Sequence, residues 1–243
     1  MSQLKTHQTI AAETVDPRWM GLCKIGVVAA FILAVSSIFA VIAYFIWPYA
    51  PGFKTTEAVF GLLQKDRFAG LISLDFLLLV TSLVTVLFYP AVYVSLKRIN
   101  ESLALIALIL GIISVAIILP ARPILEIIAL SDKYAAAASE AERSRYLAAG
   151  EGLLSLFNGT AWAVWYGAGV VSGLISSILM LRSAIFGKVT GWVGIISNIA
   201  AGGIFIPVIG LVLAMLAMPG FIAYNILVGL KLMRVCWSKS GAG

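Results

Sequence analysis

Long apolar runs separated by short clusters of charge, proline and tyrosine dominate the pattern of this chain. Residues 25–47 are the first run, closed by the aromatic cluster Tyr44, Trp47 and Tyr49, with Pro48 and Pro51 as helix stops. The second covers 68–96. The third covers 103–130, where Pro120 and Pro123 bracket Arg122 and predict a kink or break near its end. Residues 131–152 are polar, and their stretch YAAAASEAERSRYLAA favours a short surface helix through alanine and paired Glu and Arg. The fourth run covers 153–181. From Val189 to Leu230 no charge occurs for 42 residues, too many for one helix across a hydrocarbon core of about 30 Å. Two helices, 189–207 and 210–232, with a tight turn near Pro207 to Gly210, fit that stretch. The pattern predicts an all-α integral membrane bundle of six transmembrane helices over 25–235, with a short outer surface helix. Polar tails, 1–24 and 236–243, flank it.

Composition agrees with this class. Of 243 residues 61% are hydrophobic and 12% charged, against about 25% charged for a soluble domain. Such a chain needs the lipid bilayer as its solvent. The net charge of +6 does not point to nucleic acid, because the 17 Lys and Arg are dispersed among short loops rather than gathered in a basic patch. The single histidine, His7, is in the N-terminal tail, so no histidine-ligated metal or histidine base is expected inside the bilayer, and no cofactor is predicted. The first run is too long for a signal-peptide core and has no small-residue cleavage site after it, so it is expected to be retained.

Positive charge predicts orientation. With six spans, ten Lys and Arg share a side with both termini and seven lie on the other. That asymmetry favours cytoplasmic termini. Cys23 and Cys236, beside the first and last spans, would then face a reducing compartment and are expected to be free thiols.

One charge interrupts the spans. Asp75 is the only charged residue between Arg67 and Lys97, and an ionisable group in such a segment marks a pathway, a ligand site or a structural pair. On a continuous helix Asp75, Ser82, Thr85 and Tyr89 fall on one face, at offsets of 0, 7, 10 and 14. Interhelical hydrogen bonding accounts for such a stripe, as does a lined cavity. Asn158, Trp162, Trp165, Gly169 and Gly173 share a face of the fourth span. Gly169 and Gly173 form a GxxxG packing seam. Asn158 with the two tryptophans suits either an interfacial belt or the wall of an amphipathic pocket. Asn198 and Asn225, lone amides in the last two spans, are expected to pack helices through hydrogen bonds. Arg122 and Glu126, four apart, are placed to pair with each other, and Arg122 is also within reach of Asp75. The two placements imply different roles: a structural clamp or anion site where Arg122 meets Asp75, a proton carrier where it does not.

The SLDFLLL segment around Asp75, the exit FYPAVYVSLKRIN and the late LRSAIFGKVTGWVGIISN resemble a family of uncharacterised bacterial multi-pass membrane proteins, defined only as a domain of unknown function. The resemblance covers most of residues 18–235 and implies a bacterial inner-membrane bundle. It brings no catalytic residues. Three functions compete. The first is a binding or accessory membrane protein, holding a lipid, another amphipathic small molecule or a membrane protein partner against Asp75, Arg122, Glu126, Asn158, Trp162 and Trp165. The second is a small proton-coupled transporter. An intramembrane enzyme ranks last, for want of a second deep carboxylate, a nucleophile elbow or a Ser/Lys pair in the spans.

Overall fold

The structure, a computed structural model, describes residues 15–237; His7 and most of both predicted tails lie outside the described residues. Among the described residues the secondary structure is helical. The ten α-helices are α1 (Met20–Ile46), α2 (Thr56–Lys65), α3 (Arg67–Ser73), α4 (Phe76–Leu96), α5 (Glu101–Ile118), α6 (Ile124–Ala136), α7 (Glu140–Ser155), α8 (Thr160–Leu181), α9 (Gly187–Gly202) and α10 (Gly210–Trp237). Among the described residues, five segments are long and apolar enough to cross a membrane: Pro17–Ile46, Phe76–Leu96, Glu101–Ile118, Glu140–Leu181 and Gly210–Trp237. The expected fifth span is α9, an apolar helix of 16 residues followed by a 3-10 turn, Gly203–Phe205. The chain turns at the expected place between α9 and α10, and Val208 there is 99% exposed with a left-handed backbone (φ 72°).

The chain divides into two compact units. Among the described residues the first comprises 15–37, Leu83–Ser114 and 166–237. Its core includes Val27, Phe88, Val92, Met180, Phe186, Val228 and Leu232. Small residues bring its helices together. A Cβ on Gly26 would lie 2.1 Å from that of Ala91, and one on Gly173 would lie 2.2 Å from the Asn198 side-chain oxygen. Gly173 of the predicted seam therefore packs against a neighbouring helix, as such motifs do; Gly169 makes a looser approach, its Cβ site 3.9 Å from Ser114 Oγ. Asn198 is buried, but its amide donates to Gly194 O (2.8 Å) within its own helix rather than across to another. Asn225 is half-buried, and its side chain makes no hydrogen bond among the described residues. Both findings correct the expected interhelical hydrogen bonds. Cys23 and Cys236 are joined as a disulfide, where free thiols were expected; spacing along the chain gave no hint that the first and last helices meet there.

The second unit comprises Ile38–Ser82 and Val115–Trp165. It contains three helices, α2, α6 and α7, that composition and capping make amphipathic or polar. Thr55 caps α2 by accepting from Ala58 N–H (3.2 Å), and α2 buries Val59, Phe60 and Leu63 along one face. Residues 48–67 lie outside the predicted spans, and the α2 helix within them was not foreseen. Its apolar positions pack with Ile124, Ile127, Leu154 and Phe157 from α6, α7 and the turn after α7. Ser139 caps α7 by accepting from Glu142 N–H, and Glu142 reaches back to Ala138 N–H (3.0 Å), a reciprocal cap. The expected surface helix is thus two helices, α6 and α7, separated at 137–139. Gln64 and Arg67 fasten the α2–α3 corner to Asp132, and Arg67 is 2.5 Å from its carboxylate.

Candidate functional site

The site forms where helices of the second unit are interrupted. Asp66 ends α2 and caps α3 by accepting from Ala69 N–H (3.0 Å). The helix then stops at Ser73. Asp75 N–H reaches back to Ile72 O (3.0 Å), and Asp75 adopts a left-handed backbone (φ 69°) before α4 begins. Aspartate is among the few non-glycine residues enriched in that region. The predicted span 68–96 is therefore two helices, and Asp75 sits at their junction instead of heading a stripe on one continuous face. Of that stripe, Ser82 is buried, and Tyr89 belongs to the other unit, where its phenol meets Ser114 and Ser172.

Both carboxylate oxygens of Asp75 are engaged. Tyr44 Oη donates to Oδ1 (2.5 Å) and Arg122 Nε donates to Oδ2 (2.9 Å). Arg122 stands in the Leu119–Pro123 turn that ends the third predicted span early, at Ile118 rather than 130. Its Nη1 donates to Phe157 O (2.8 Å) and Ala121 O (3.2 Å), and its guanidinium carbon is 4.9 Å from the Phe157 ring centroid. The Phe157 carbonyl belongs to the 3-10 turn after α7, where helical acceptors run out and need another donor. Arg122 is 3% exposed and Asp75 9%. One guanidinium thus ties together the interruptions at 74–75, 119–123 and 156–159, with Tyr44 holding the end of α1. Burial on this scale requires pairing, since an isolated charge there would be prohibitively costly.

The remaining predicted residues are arranged differently from expectation. Glu126 does not pair with Arg122. It is exposed on the first turn of α6 and has no ion-pair or hydrogen-bond partner among the described residues. The reason is competition: the α3–α4 junction delivers Asp75 to Arg122 in a buried setting, where a charge pair is stronger than at a wet helix surface. Asn158 is exposed and bonds elsewhere, accepting from Tyr49 Oη (3.1 Å) and donating to Pro51 O (3.2 Å). Burial, with the Asp75 charge nearby, raises the Tyr49 phenol above its ordinary pKa. Trp162 and Trp165 are half-buried on the first turns of α8.

Beside the ion pair lies a cleft of about 360 Å³, lined by apolar residues of α3, α4, α6 and the Leu119–Pro123 turn. Arg122 and Glu126 are its two ionisable lining residues; Asn158, Trp162 and Trp165 are not among them. Two members of the site escaped sequence reasoning. Tyr44 fitted an interfacial aromatic cluster, and only its hydroxyl in an otherwise apolar run hinted at a buried partner. Phe157 contributes a backbone carbonyl and a ring face, and no residue pattern announces the former.

Among the described residues, five segments of this length and apolarity, with a buried ion pair at the helix interruptions, make this an α-helical protein of the kind that can cross a membrane. The chain belongs to the family described as a domain of unknown function, DUF4386, whose match covers residues 64–230. Asp75, Arg122, Glu126, Asn158, Trp162 and Trp165 all fall within the matched segment, and Tyr44 and Tyr49 precede it. No curated protein and no solved structure matches the chain.

Proposed function

We propose that this is a bacterial inner-membrane protein of six spans that holds a lipid or other amphipathic small molecule in the cleft beside Arg122. The observation that carries the reading is the cleft itself. Its volume of about 360 Å³ lies within the range of small-molecule sites, and apolar walls with few polar groups are what an amphiphile requires. The Asp75–Arg122–Tyr44 cluster serves as the clamp that fixes the cleft's wall. For the sixth span, α9 with its following turn runs from Gly187 to Phe205, and 19 residues at about 1.5 Å each reach close to 30 Å. The ten-to-seven distribution of positive charge supports cytoplasmic termini. The Cys23–Cys236 bond is compatible with that side because both residues are buried, at 0% and 2% exposure, and exchange with soluble thiols needs access.

The test is lipid retention. Protein purified from native membranes should carry amphipathic molecules through detergent washing, and Leu119→Trp, which fills the cleft from its exposed rim, should release them while leaving the helical content unchanged. Equal retention by the two proteins would remove the cleft from consideration. A small proton-coupled transporter is the second reading, and it rests on Asp75 being a buried carboxylate. It predicts that Asp75→Asn abolishes uptake by a folded protein.

A further inference from the structure

We infer that the occupant of the cleft is a lipid with a primary ammonium in its headgroup, an ethanolamine phospholipid, bound through Glu126. This rests on the cleft being an amphiphile site and names the chemistry of what enters it.

The inference follows from charge. Two ionisable residues line the cleft, Arg122 and Glu126. Asp75 already neutralises Arg122, at 2.9 Å and in a buried setting. Glu126 has no counter-charge among the described residues, and its side chain is exposed. The uncompensated charge of the cleft is therefore negative. An anionic lipid would meet repulsion there, whereas an ammonium would gain a charge-assisted hydrogen bond. Glu126 stands on the first turn of α6, whose Ile124 N–H already donates to Arg122 O (2.8 Å), so the group left for a headgroup to meet is the carboxylate itself. The acyl chains then have a continuous apolar course. Leu125 is 78% exposed, Phe76 40% and Leu119 37%, and all three belong to the lining.

The experiment uses full-length protein incubated with vesicles of ethanolamine, choline and glycerol phospholipids in equal amounts. The protein is then extracted in detergent, and retained lipid is quantified by mass spectrometry. The ethanolamine lipid should exceed the glycerol lipid by about five-fold, as a partly solvated ion pair of about 1 kcal/mol gives. Glu126→Gln should reduce that ratio to about one while total retained lipid stays the same. Leu119→Trp should abolish retention of all three. Equal retention of ethanolamine and glycerol lipids by the unaltered protein, or a preference that survives Glu126→Gln, overturns the headgroup assignment. So does choline lipid retained as well as ethanolamine lipid, because a quaternary ammonium has no N–H to donate. Retention of none of the three overturns the cleft as a lipid site as well.

Discussion

Asp75→Asn isolates the charge of the central pair from its geometry. Asparagine has the same shape as aspartate and tolerates the left-handed backbone that position 75 adopts (φ 69°), so the α3–α4 junction should survive. What is lost is the counter-charge of Arg122, a residue 3% exposed. Removing one partner of a buried pair costs about 3–5 kcal/mol. At about 2–4 °C per kcal/mol for a chain of this size, that corresponds to a fall of about 6–20 °C in the unfolding midpoint. Arg122→Met should be destabilising by a similar amount, because it leaves the buried Asp75 carboxylate without its counter-charge, and the Phe157 carbonyl loses its 2.8 Å donor as well. The double variant decides the matter: with both charges gone no buried ion is left alone, and its loss should fall short of the two single losses combined by about 2 kcal/mol. Denaturant titration of detergent-solubilised protein, followed by the fluorescence of its six tryptophans, supplies all four stabilities. Additive losses, or an Asp75→Asn change below about 1 kcal/mol, would refute the pair as the clamp of this unit.

Three further outcomes test other parts of the structure. Maleimide added to denatured protein without reductant should label neither cysteine, and after reduction should label both; labelling before reduction would dissolve the Cys23–Cys236 bond. Val208→Gly should raise stability by about 1 kcal/mol, since a β-branched residue at φ 72° is disfavoured and its side chain, 99% exposed, gives up no packing; an unchanged midpoint would count against that turn. Arg67 and Gln64 hold the Asp132 carboxyl below its usual range, so their contribution is complete above the ordinary carboxylate pKa of about 3.9 and fades as pH falls through the lowered value. Protection of the α2 and α6 amides, measured relative to their intrinsic exchange rate at each pH, should therefore fall below about pH 4, and Asp132→Asn should remove that pH dependence.

Hydrophobic patterning carries the long helices because each apolar run is close to a bilayer thickness and ends in proline, tyrosine or charge. Asp75 and Arg122 were visible for the same reason, as charges where apolar residues are expected. Partner choice was less visible. Spacing put Glu126 one turn from Arg122, but the tertiary fold delivered Asp75 into a drier contact, and the drier contact wins. The break at 74–75 had no glycine or proline to mark it; the left-handed conformation falls on aspartate itself. Helix α2 was hidden among Pro51, Gly52 and scattered charges, although Thr55, an N-cap residue before Val59, Phe60 and Leu63, was a local signal for it. Burial of Tyr44 beside Asp75 is a long-range consequence of how the second unit packs, which one sequence read alone does not encode legibly.

The committed state of Asp75 bears on which function the site can serve. A proton carrier must expose its carboxylate alternately to two sides and bind and release a proton at each. Here Oδ1 accepts from Tyr44 and Oδ2 from Arg122, so either step requires breaking at least one of these bonds. Breaking the second leaves a buried guanidinium uncompensated, at about 3–5 kcal/mol unless Arg122 moves as well. Arg122 is itself held by Phe157 O and Ala121 O, so its movement would disturb the turns at 119–123 and 156–159 together. A carboxylate with those obligations is better suited to holding a wall than to cycling. The distinction is measurable: a carrier loses transport in Asp75→Asn at temperatures where the variant is still folded, whereas a clamp loses cleft binding and stability in parallel. If Asp75→Asn retained its fold and its bound lipid but lost proton-coupled uptake, the clamp would give way to the carrier.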